Sequence, residues 1–123
     1  IMTLGSMTGA AKDAIDEARD AGKKVGLIKI KTFSPFPVEA LLKSLNKIQA
    51  LGVVDRSVGF RWNCGPMYQE TMGVLYRLGR HIPSMSFIGG LAGACRQTGA
   101  ACRGQHRERG AHALAAFLNS GVR

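Results

Sequence analysis

Apolar residues in this chain fall in short runs separated by helical periods and by turns that carry glycine or proline. Residues 1–4 are a short apolar run ending in Gly5-Ser6-Met7-Thr8-Gly9. Ser6 or Thr8 is placed to cap a helix by accepting a backbone N–H, with Asp13, Asp16 and Glu17 toward its positive end. Ala11, Ala14, Ile15 and Ala18 recur at helical spacing, and Gly22 is the stop signal. Residues 25–30 read as a strand, with Val25, Leu27 and Lys29 on one face.

The second half repeats the pattern. Pro35 and Pro37 fix their own backbone and push the residues before them out of the helical region, so 32–37 is a turn. A helix follows over 38–47 with Leu41, Leu42 and Leu45 inward, then a continuously apolar strand over 51–54, as a buried parallel strand requires. After a loop over 55–66, Pro66 opens the first turn of a helix over 67–78, with Met67, Met72, Leu75 and Tyr76 as its apolar stripe. A strand over 85–88 ends at Gly89-Gly90. Strands alternating with helices through short connections predict a three-layer α/β/α sandwich with a mostly parallel sheet. That domain takes in residues 1–93. Ile1-Met2-Thr3 reads as the middle of a strand, so the domain is expected to be partial at its N-terminus.

After residue 93 the character changes. Ala, Gly and Arg supply 18 of the last 33 residues, and no lysine follows Lys47. Residues 94–123 therefore read as a divergent basic tail with one short helix over 111–118. The net charge of +9 invites a nucleic-acid reading, but its distribution argues against one. Residues 1–90 carry 12 Lys and Arg against 7 Asp and Glu, and residues 91–123 carry 5 against 1, so the excess gathers in the tail. Aromatic residues are 7% of the chain and are not interleaved with the basic ones as single-strand binders need. The apolar runs are only a few residues long, as over 113–118, so no membrane span is expected. No basic stretch leads into an apolar one, so no signal peptide is expected. Cys64, Cys95 and Cys102 are too few and too irregular for a disulfide framework, which suits a reducing, cytoplasmic setting.

Three places carry candidate chemistry. Gly5–Gly9 follows a strand and opens a helix, where α/β proteins bind phosphate, but it has neither the Lys-Ser/Thr of a P-loop nor G-x-G-x-x-G. It reads first as a tight capped turn and second as a ligand loop. Asp55, Arg56 and Ser57 stand at the carboxyl end of the third strand, the edge where ligands gather in open α/β sheets. Asp55 and Arg56 with Arg61, Trp62 and Asn63 are expected to make a contact surface for another chain, since Trp and Arg are favoured at binding hot spots. A buried Asp–Arg pair stitching the loop down is the structural alternative. Cys64 has only Arg61 as a nearby cation and no neighbouring histidine, so it is not read as a nucleophile. In the tail, Cys95, Cys102, His106 and His112 offer a zinc donor set, but the cysteines stand too far apart and no helix holds the histidines. His81, ahead of Ile82-Pro83, reads as a surface residue. No carboxylate pair is placed for acid–base catalysis and no Ser-His-Asp set is readable.

Five strings in order resemble a known family. They are Gly5-Ser6-Met7-Thr8-Gly9, the run 23–30 (KKVGLIKI), the run 32–37 (TFSPFP), the run 53–60 (VVDRSVGF) and the run 87–91 (FIGGL). Together they are similar to the transketolase C-terminal-like domain in the α subunit of the 2-oxoacid:ferredoxin oxidoreductases, pyruvate synthase and its relatives. The tail departs from the family after Gly93, where Ala94-Cys95-Arg96-Gln97 replaces an acidic residue and a polar helix; a GC-rich gene read in a shifted frame produces such a change. The resemblance implies an enzyme using thiamine diphosphate and Mg²⁺, whose ylid attacks the keto carbon of a 2-oxoacid, pyruvate first among them. It implies 4Fe-4S clusters and coenzyme A in the complete enzyme, and none of these cofactors bound by this chain. Implied partners are the thiamine-binding β subunit, the γ subunit, a ferredoxin-like δ subunit, and ferredoxin as acceptor. The domain itself is expected to be inactive alone and to serve assembly. A 2-oxoacid dehydrogenase or transketolase relative, and a small basic module for nucleic acid or anionic surfaces, are the alternatives.

Overall fold

A computed structural model of the chain describes residues 1–79 and 81–89. Strands β1 (Met2–Leu4), β2 (Ile28–Ile30), β3 (Leu51–Asp55) and β4 (Ser84–Ile88) alternate with helices α1 (Met7–Asp20), α2 (Val38–Leu45) and α3 (Pro66–Leu78). The four strands form one sheet in the order β2-β1-β3-β4, parallel throughout. Met2, Ile30, Leu51 and Val53 point to one face and pack with Leu41 and Leu45 of α2 and Met67, Val74 and Leu75 of α3. Thr3, the neighbour of Met2, points to the other face, where its hydroxyl donates to Thr8 Oγ1 of α1 at 3.2 Å. Two helices thus cover one face and one helix the other, as right-handed crossovers on a sheet of this order require. The expected α/β/α sandwich is the observed one.

Helix ends follow local chemistry. Gly22 takes φ 79° and closes α1 with a paired motif, its N–H donating to Arg19 O and the Lys23 N–H to Ala18 O. Pro66 occupies the first position of α3 and Gly79, at φ 64°, ends it.

Several sequence expectations are corrected. Neither Ser6 nor Thr8 caps α1 through its side chain, because Ser6 already has helical φ and ψ and a capping hydroxyl needs an extended residue. The first turn of α1 holds no acid; Asp13, Asp16 and Glu17 lie from its middle toward its C-terminal half. The strand expected over 25–30 is Ile28–Ile30, and residues 25–27 lead into it, with the Ile1 amino group donating to Gly26 O at 2.7 Å. Its inward residues are Ile28 and Ile30, with Lys29 exposed. On α3 the buried stripe is Met67, Thr71, Val74 and Leu75, while Tyr76 is 89% exposed. Thr71 can be buried because its hydroxyl donates to Met67 O at 2.6 Å. The other differences are small: α2 stops at Leu45, and β3 and β4 each gain one residue. The tail calls, including the helix over 111–118, lie outside the described residues.

Candidate subunit-contact site

β1 connects outward to β2, whereas β3 continues to β4 on the other side, so the chain changes direction between the carboxyl ends of β1 and β3. In doubly wound sheets this is where ligands and contacts collect. Here Gly5, at φ 65°, turns β1 sharply into α1, and Asp55-Arg56-Ser57 leaves β3 beside it. The Arg56 guanidinium crosses the gap and donates from Nη1 to Ser6 Oγ at 3.2 Å.

Asp55 is 8% exposed and its carboxylate is occupied by backbone amides. Oδ1 accepts from the Arg56 N–H at 3.0 Å, and Oδ2 from the Met67 N–H at 2.8 Å. Gly65, the residue ahead of α3, has no side chain to cap the helix, so a carboxylate from the end of a strand does it instead. A negative group is favoured at that positive helix end. The Gly65 N–H donates to Ser86 Oγ at 3.3 Å, fixing the helix start against β4 as well. Asp55 therefore holds the loop from within, through amides and not through the Asp–Arg pair the sequence offered as an alternative.

Between these anchors the loop closes on itself. The Gly59 N–H donates to Cys64 O, the Trp62 N–H to Gly59 O and the Cys64 N–H to Trp62 O, at 3.0, 3.3 and 2.6 Å. Tying residues 59–64 by their backbone leaves the side chains facing out. Phe60 is fully exposed, Trp62 is 67% exposed and Val58 43%. Arg56, Arg61 and Asn63 are exposed beside them. Four of the five contact candidates thus stand on the surface of one loop, and Asp55 lies beneath it. Phe60 and Val58 stand exposed on the same loop, beside the candidates named from the sequence.

The described residues offer no set of three His, Cys, Asp or Glu side chains that would hold a metal. Cys64 is half-buried, and Asp16 lies 3.9 Å from Arg19 on the outer side of α1. Neither a Mg²⁺–diphosphate group nor a four-thiolate cluster fits these donors. Cys95, Cys102, His106 and His112 lie outside the described residues. His81 is exposed, as the sequence suggested. A depression of about 530 Å³ lies at the opposite edge of the sheet, bordered by Lys24, Ser44, Lys47 and Gln49, with no carboxylate, thiol or imidazole in its lining. No helix among the described residues is long and apolar enough to cross a membrane.

Residues 1–98 match the family described as pyruvate:ferredoxin oxidoreductase core domain II. The chain is 87% identical over 94 residues to the NADH-dependent phenylglyoxylate dehydrogenase subunit alpha of Aromatoleum evansii, covering 76% of this chain and 22% of that protein. It is 32% identical over 93 residues to pyruvate synthase subunit PorA of Methanosarcina barkeri, covering 76% and 23%. To ketoisovalerate oxidoreductase subunit VorA of Pyrococcus furiosus it is 36% identical over 92 residues, covering 75% and 23%. The chain spans less than a quarter of the length of each.

Proposed function

The chain belongs to the 2-oxoacid:ferredoxin oxidoreductase α subunits, as their pyruvate:ferredoxin oxidoreductase core domain II, and on that premise we propose that it is an assembly domain of an enzyme oxidising an aromatic 2-oxoacid. The complete enzyme is cytoplasmic and converts its substrate to an acyl-CoA and carbon dioxide. Thiamine diphosphate, Mg²⁺, 4Fe-4S clusters and coenzyme A are held by its other domains and by the β, γ and ferredoxin-like δ subunits. This domain's own part is to present the loop over 55–66, with Arg56, Arg61, Trp62 and Asn63 outward, to a neighbouring subunit. The exposed aromatic residues of a loop tied down by its own backbone support that part.

The substrate class rests on identity. The relative named for phenylglyoxylate stands at 87%, against 32% and 36% for those named for pyruvate and ketoisovalerate. That gap favours an aromatic 2-oxoacid over pyruvate, which the resemblance alone put first. The relative's name also includes NADH, so a nicotinamide joins ferredoxin as a candidate electron carrier.

The test is a competition assay on the purified native complex, with phenylglyoxylate, pyruvate and ketoisovalerate as substrates and with NAD⁺ and ferredoxin reduction followed separately. The expected result is a kcat/KM for phenylglyoxylate at least about tenfold above the other two, the scale on which an apolar pocket separates side chains of different size. A preference for pyruvate would overturn the substrate assignment and leave the family membership intact.

A further inference from the structure

We draw no further inference here: the strongest candidate, the part-exposed apolar face that Val54, Met85 and Phe87 form on β3 and β4, on the side of the sheet away from α2 and α3, carries nothing, because nothing in the structure shows what covers it.

Discussion

Replacing Asp55 with Ala should destabilise the domain by about 3 kcal/mol and lower its melting temperature by roughly 15 °C. The carboxylate accepts two amides, and the one from Met67 is buried. Hydrogen bonds to a charged group contribute about 1.5–3 kcal/mol each, and an amide left unpaired inside costs about 1–3 kcal/mol. These contributions overlap, so the expected total lies below their sum. No neighbour can substitute, since Gly65 has no side chain at the start of α3. Asp55→Asn should fall between, keeping one acceptor but turning an NH₂ group toward an amide that needs an oxygen. Thermal melts of the three proteins decide the matter. A loss under about 1 kcal/mol for the Ala variant would mean that the first turn of α3 does not depend on Asp55.

The second large effect is expected at Gly65. A methyl group built there would collide with the side chain of Asp55, at Cβ, Cγ and Oδ2. The backbone of Gly65 is ordinary, at φ −75°, so the requirement for glycine is one of space and not of conformation. Because Cβ is among the atoms struck, relief would require moving α3 away from the end of β3 and not merely turning the carboxylate that caps it. Overpacking of this kind costs about 1–3 kcal/mol, and the upper end is expected because the displaced group is a buried charged cap. Since both changes act on one contact, their effects should not add: Asp55→Ala removes Cγ and Oδ2 but keeps Cβ, so Gly65→Ala should cost less in that background. Simple additivity in a double-mutant cycle would contradict this account of the site.

Periodicity and turn residues made the order of elements legible. Gly22, Pro66 and the apolar run at 51–54 mark a helix stop, a helix start and a central strand, and the structure places each as expected. Contacts between distant residues were not legible. Thr71 is polar by type and buried by position, because a hydrogen bond within its own helix satisfies it; Tyr76 is apolar by type and lies on the wrong side of the 3.6-residue period. At the loop, the candidacy of Arg56, Arg61, Trp62 and Asn63 emerged from residue type and from their place after a strand end. The role of Asp55 did not, since its partner is an amide 12 residues away. A helix opening on Gly-Pro, with no residue able to cap it, was the clue that an acceptor had to arrive from elsewhere.

The central claim is that the loop over 55–66 serves assembly and not the core of its own domain. Trp62→Ala in the full complex tests it most directly, with subunit affinity and the melting of the domain measured on the same protein. Trp62 is largely exposed, so its loss should leave the fold within about 0.5 kcal/mol of the unmodified protein. Subunit affinity should fall by about 2 kcal/mol, close to thirtyfold, as for a hot-spot aromatic. Unchanged affinity together with a melting loss worth about 3–5 kcal/mol, the cost of removing a core Trp, would contradict the claim.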